Sequence, residues 1–251
     1  HGDQLLIGGP EGLWQKDLKQ SNLDQATQPA WATPIASKFV TDIQQAPDGR
    51  IWICTLQDGL YRYDPKNNEL LNLAPDPNNK YNLAHRNVSS ILFDSRGWLW
   101  VAMQGGGLDL LRTPNAKPPF AFEHFGKQQK LPNELVNKVL EDNQGNIWAS
   151  TDEGFARINP KTMHIDPFVE SDGVAITGYW SNSGGRTKDG ELIFGGVGGL
   201  TVIRPELVKK YAYHPPVVVT NIQLGGKTIA ANHAGFSGNK GKKLLVQADA
   251  N

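Results

Sequence analysis

Cysteine and methionine are scarce in this chain, with one Cys and two Met among 251 residues. A single cysteine makes no internal disulfide and no thiolate metal cage, which leaves the redox compartment open. Excess charge of either sign is missing too. The 25 Lys+Arg balance 25 Asp+Glu, so a broad electrostatic grip on nucleic acid or anionic lipid is excluded. No apolar run approaches the roughly 18 residues that span a bilayer, and no basic-then-apolar leader opens the chain. Hydrophobic residues make up only 39% of it. What is plentiful is 27 Gly, 16 Pro and 7 Trp, a mixture that suits many short strands and tight turns and disfavours a helical bundle.

The sequence repeats itself. Asp48-Gly49-Arg50-Ile51-Trp52-Ile53-Cys54-Thr55 reappears as Arg96-Gly97-Trp98-Leu99-Trp100-Val101-Ala102-Met103 and as Gln144-Gly145-Asn146-Ile147-Trp148-Ala149-Ser150-Thr151. A looser copy is Asp189-Gly190-Glu191-Leu192-Ile193-Phe194-Gly195-Gly196, and Gln4–Gly9 with Gly12-Leu13 is a copy that lacks its beginning. Gly49, Gly97, Gly145 and Gly190 are spaced by 48, 48 and 45 residues. Such a period marks a repeat architecture.

Each unit reads as four strands. Val40/Ile43, Val88/Ile91 and Val136/Val139 mark the first, and a Gly-containing turn closes it onto the Trp-bearing second. The third strand follows a second glycine, as in Gly59-Leu60-Tyr61-Arg62 and Gly154-Phe155-Ala156-Arg157, and a weaker fourth follows, such as Leu70–Leu73 or His164–Phe168. Four short antiparallel strands in this length make a propeller blade. A sheet so small cannot bury both faces alone and must stack on neighbours. Trp52, Trp100 and Trp148 are therefore expected to be the wedges between blades, each burying ~150–250 Å². The expected fold is all-β: a propeller segment of about five blades over residues 1–210, the first one partial, and then the opening strands of a β-sandwich over 211–251.

The pattern Val-x-x-Ile, Asp-x-x-Gly-x-Ile-Trp, Gly-Leu/Phe-x-Arg resembles the two-component regulator propeller repeat, best in Val136 to Pro160. Thr187–Gly196, with Gly199-Leu200 and Arg204-Pro205, resembles the last blade of such propellers. Pro215-Pro216-Val217-Val218-Val219-Thr220-Asn221-Ile222-Gln223-Leu224 is similar to the opening strand of the triple-tyrosine sandwich that follows in that family. The resemblance implies the sensor part of a membrane-anchored receptor, periplasmic and homodimeric, joined by one membrane helix to a histidine kinase or a diguanylate cyclase. It also implies that both ends of the chain are cuts inside a larger protein.

Three departures stand out. Cys54, Ala102 and Ser150 stand where the repeat usually has Gly, and all three are small. Ala46 and Thr187 replace the turn Asp seen at Asp94 and Asp142, which is expected to weaken those hairpins. Asp172 to Arg186 has no Val-x-x-Ile pair, which makes the inner strand of the last blade the hardest element to place.

Enzymatic signatures are absent from the sequence. Gly105–Gly107 and Gly195–Gly199 lead into no helix and read as turns rather than phosphate cradles. His85, His124, His164, His214 and His233 lack the close spacing of zinc ligands and read as surface or edge residues. Cys54, inside an apolar strand, reads as a packed small residue. No catalytic residue, metal site or cofactor is expected. Binding is expected on the face shared by the loops between second and third strands and the blade-to-blade links. These carry Gln57, Asp58, Arg86, Gln104, Asp152, Glu153 and Trp180. Amide, acid and aromatic groups together suit a sugar-like solute, and a partner subunit is the other ligand. Two further functions compete with the sensor: a lyase-like propeller enzyme and a protein-interaction scaffold.

Overall fold

A computed structural model of the chain describes residues 3–19, 26–176, 178–208, 222–224 and 227–229. The chain divides into two compact units, His1–Val208 and Lys209–Asn251. The first is a run of five antiparallel sheets. The first blade is a hairpin of β1 (Gln4–Gly9) and β2 (Gly12–Asp17). Three complete blades follow: β3–β6 (Val40–Gln45, Ile51–Thr55, Gly59–Asp64, Glu69–Leu73), β7–β10 (Val88–Phe93, Leu99–Met103, Gly107–Leu111, Glu123–Phe125) and β11–β14 (Val136–Glu141, Ile147–Thr151, Gly154–Asn159, His164–Phe168). The fifth blade shows three strands among the described residues, β15 (Tyr179–Arg186), β16 (Leu192–Gly196) and β17 (Gly199–Ile203). Pro205–Leu207 then makes a single 3₁₀ turn. In the second unit the described residues are a hairpin of β18 (Ile222–Leu224) and β19 (Lys227–Ile229). The rest of the expected sandwich opening and the Gly/Lys-rich stretch Asn232 to Lys243 lie outside the described residues.

Strand order equals chain order in every blade, because each hairpin turn is short and pairs neighbours directly. Gly49, Gly97, Gly145 and Gly190 close the first hairpin at φ of 89, 78, 77 and 90°, a backbone region that L side chains rarely adopt. The second glycine is needed for positive φ and for space together, Gly59, Gly107 and Gly154 standing at φ of 87, 71 and 119°. A Cβ on Gly59, Gly107 or Gly154 would lie 2.4, 2.3 and 2.1 Å from the carbonyl oxygens of Leu73, Phe125 and Phe168, at the end of the fourth strand.

Each seam between blades is a separate apolar cluster. Leu13 of the first blade packs with Ile51, Ile53, Tyr61 and Tyr63 of the second. Trp52 and Leu60 meet Val88, Ile91, Leu99 and Val101 of the third. Trp100 and Leu108 meet Val136, Val139 and Ile147 of the fourth, and Trp148 and Phe155 meet Tyr179, Leu192 and Phe194 of the fifth. Alternation along the second strand sends Trp to the following seam and its Ile or Leu neighbours to the preceding one. All five residues of β4, β8 and β12 are buried for that reason. Trp52, Trp100 and Trp148 are at most 1% exposed. Cys54 is packed in the same layer, where burial pushes its thiol well above the usual range.

Candidate functional site

The inner strands carry the residues that reach the axis. In β3, β7 and β11 the pairing slips between Val40 and Asp42, Val88 and Ser90, and Val136 and Lys138. Each slip is a bulge that turns one polar side chain out of the ladder. Thr41 Oγ1 donates to Val88 O at 2.6 Å, and Ser89 Oγ donates to Val136 O at 2.6 Å, so each hydroxyl stitches its blade to the next inner strand. Asn137 holds the third position. It donates through Nδ2 to Asp152 Oδ1 at 2.8 Å and accepts from Gln104 Nε2 at 3.1 Å.

In β15 the slip is wider. Tyr179 pairs with Gly196 and Gly184 with Phe194, so residues 180–183 face Gly195 alone. Asn182 sits there at φ 54°. The protruding segment reaches three other blades. Ser181 Oγ accepts from Gln104 Nε2 of the third blade at 2.5 Å. Asn182 Oδ1 accepts from Lys138 Nζ of the fourth, and its Nδ2 donates to Thr41 O of the second at 2.8 Å. Lys138 Nζ also lies 4.0 Å from Asp42 Oδ2, which accepts Ile91 N at 3.0 Å. A polar plug thus fills the axis below this segment.

Above the plug is a cleft of about 640 Å³. It is lined by inner-strand starts (Val40, Thr41, Asn137, Tyr179, Trp180, Ser181), by turns between second and third strands (Leu56, Gln104, Asp152, Val197), and by Phe39 and Gly178. Its size is within the ordinary range for a small-molecule site. Trp180 is 61% exposed and Phe39 45%, so two aromatic rings are open to solvent on its wall. Asp152 supplies the charge of the lining.

Of the residues the sequence singled out, the cleft brings together Gln104, Asp152 and Trp180. Gln57, Asp58, Arg86 and Glu153 lie outside its lining. Gln57 donates its backbone N–H to Asn87 Oδ1. Asp58 is engaged by Lys38 Nζ at 2.9 Å and by the Tyr61 hydroxyl at 2.7 Å, and the Lys38 hydrogen bond holds its carboxyl below the usual range. Arg86 is exposed and gives its carbonyl to Gly59 N. Glu153 is exposed, with its N–H on Thr151 Oγ1. Sequence reasoning missed Phe39, Asn137 and Ser181. For Asn137 there was a signal, since it occupies the repeat position of Thr41 and Ser89; Ser181 depends on a bulge that no repeat position announces.

His124 is bound on both sides rather than being a plain edge residue. Its Nδ1 lies 2.7 Å from Asp109 Oδ1 and its Nε2 2.6 Å from Lys80 O. The hydrogen bond to Asp109 raises the imidazole pKa above its ordinary value, and burial raises that of the Asp109 carboxyl. Asp109 is fully buried and also accepts Ala84 N at 2.9 Å. Among the described residues no three His, Cys, Asp or Glu side chains gather at metal-binding distance.

The sequence pattern of the two-component regulator propeller matches residues 34–57 and 130–153. A curated relative, histidine kinase P4 of Formosa agariphila, is 23% identical over 226 residues, covering 72% of this chain and 16% of the relative. The extracellular domain of a putative hybrid two-component system of B. thetaiotaomicron superposes with a TM-score of 0.72 at 23% identity, over 91% of this chain and 31% of that one. A second such domain from the same organism gives 0.64 at 22%, over 81% and 28%. A gluconolactonase of Xanthomonas campestris gives 0.53 at 17%, over 79% and 67%. The chain therefore spans about a sixth of the curated relative and about a third of the first structural one. Two segments of it match the two-component regulator propeller repeat, and its sheets are propeller blades.

Proposed function

We propose that this chain is the non-catalytic sensor region of a membrane-anchored, homodimeric two-component-type receptor, facing the periplasm and binding a small solute at the mouth of its propeller axis. The observation that carries the reading is the cleft itself. Its lining comes from four blades, and its floor segment, Trp180 to Ser183, is hydrogen-bonded to the inner strands or turns of the other three. A solute seated on Trp180 and Asp152 would prefer one arrangement of those blades over another, and that differential affinity is all that a receptor needs to bias its output. The matched repeats and the two-component relatives support the same reading, as does the sandwich-like strand pattern after residue 210. No helix among the described residues is long and apolar enough to cross a membrane. The anchor and the kinase or cyclase output are assigned to other parts of the receptor.

A thermal-shift panel of sugars and amino acids on the purified chain tests the reading. A true ligand at about 100 times its Kd adds ~2.7 kcal/mol of stability, and Trp180→Ala removes that shift without lowering the unliganded melting point. If the shift survives loss of Trp180, the solute site lies elsewhere.

A further inference from the structure

The hydrogen bonds of the cleft have a direction, and that direction specifies its occupant. Both amide hydrogens of Gln104 are spent, one on Asn137 Oδ1 and one on Ser181 Oγ. Asn137 Nδ2 in turn donates to Asp152 Oδ1. The relay therefore runs from Gln104 to the carboxylate and leaves acceptors at the cleft: among the described residues nothing donates to Asp152 Oδ2 or Gln104 Oε1. Cations are absent from the lining. Lys138, next in sequence to the lining residue Asn137, is committed to Asn182 and Asp42, and Lys38, next to Phe39, to Asp58. The open rings of Trp180 and Phe39 complete the wall, and an aromatic face attracts a cation within about 6 Å of its centre.

We propose that the cleft selects a positively charged hydrogen-bond donor, an amine-bearing solute such as an amino sugar, over neutral and anionic solutes of the same size. This rests on the cleft being the solute site, and it adds the sign of the ligand's charge and the residue that reads it. The ammonium group meets Asp152 Oδ2, neighbouring hydroxyls donate to Gln104 Oε1, and Trp180 covers the ring face. A carboxylate or phosphate placed there would meet Asp152 with no cation to offset it.

The test uses the whole chain and three probes of one shape: glucosamine, glucose and glucuronate. The readout is the indole N–H resonance of Trp180, assigned by its loss in Trp180→Phe. Glucosamine is expected to shift that resonance with an affinity about tenfold above that of glucose, and glucuronate to leave it unmoved at about 10 mM. Asp152→Asn, which keeps the side-chain shape, is expected to reduce glucosamine to the level of glucose. Glucuronate binding as well as glucosamine, or an amine preference that survives Asp152→Asn, overturns the charge selection while leaving the cleft as the site. If none of the three probes moves the resonance, the amine proposal and the site fall together.

Discussion

The second blade carries the same buried tryptophan as the third and fourth but not the same partner for it. In the third, Trp100 Nε1 donates to Asp94 Oδ2 at 3.1 Å, and Asp94 Oδ1 also receives the N–H groups of Arg96 and Trp98. In the fourth, Trp148 Nε1 donates to Asp142 Oδ2 at 2.8 Å, and Asp142 Oδ1 receives Gln144 N and Asn146 N. The second blade has Ala46 at that place, and the indole N–H of Trp52 is buried with no hydrogen-bond partner among the described residues. Its backbone turn still forms, with Ala46 N donating to Arg50 O and Gly49 N to Ala46 O. The turn aspartate is thus not chiefly what closes the hairpin. It reaches past the turn to satisfy a donor that the seam has cut off from water, and a buried unpaired donor costs about 1–3 kcal/mol. The fifth blade fits the same rule, for it lacks both the aspartate (Thr187) and the tryptophan (Ile193).

The comparison can be broken in several ways. The largest effect is expected from Asp142→Ala, which orphans the Trp148 indole and two backbone N–H groups together. A loss of about 3 kcal/mol or more is expected in urea unfolding, read as a lower midpoint at unchanged slope. If Asp142→Ala is no worse than a surface change, the carboxylate is not what holds the turn and indole together. Next comes a matched pair, Trp52→Phe and Trp100→Phe. Both remove similar area, but only the second breaks an existing indole-to-carboxylate hydrogen bond, at Asp94 Oδ2, so it is expected to cost about 1 kcal/mol more. Equal losses would mean that Trp52 Nε1 is not an orphan in solution.

Ala46→Asp should work in the opposite direction. It supplies the missing acceptor, and a gain of about 1 kcal/mol is expected; a loss would show that Arg50, Phe93 and Phe120 leave no room for the carboxylate.

The smallest effect is local and depends on pH. In the third blade, Asp109 and His124 occupy the register pair that is Tyr61–Asn72 in the second and Ala156–Pro167 in the fourth. The Asp109 hydrogen bond raises the His124 pKa. The contribution is therefore complete below the ordinary histidine value of about 6.5 and fades as pH rises through the higher folded value. Hydrogen exchange at Tyr81 to Ala84, corrected for intrinsic rates, is expected to quicken from about pH 6 to pH 9, and His124→Gln to abolish that change. Exchange that stays flat in the unaltered protein would mean the ring is neutral throughout.

Much of the fold was legible because the repeat is a packing unit. Gly49, Gly97 and Gly145 mark turns that only a positive φ closes, and the Trp-bearing strand is apolar on both faces because each face has a neighbour. The fourth strands were fainter, since β6 and β14 each present a partly exposed face and carry less pattern. The candidate site was legible in part. Gln104 and Asp152 follow from the turn between second and third strands, which always falls at the same end of a blade. Gln57, Asp58, Arg86 and Glu153 lie near that end too, yet their side chains do not line the cleft.

What the sequence alone determined is the local code: which residues turn, which strands are covered on two sides, and how often the unit recurs. Those properties depend on neighbours a few residues away, or on the next copy about 48 residues on. What only the tertiary structure decided is the axis. Residues 180–183 leave their own sheet because Ser181 and Asn182 find partners on blades up to 141 residues distant, and no period in the sequence encodes a contact made between blades that are not neighbours. The orphaned Trp52 belongs to the same class. Its missing partner is written at Ala46, but the cost exists only once the seam has excluded water.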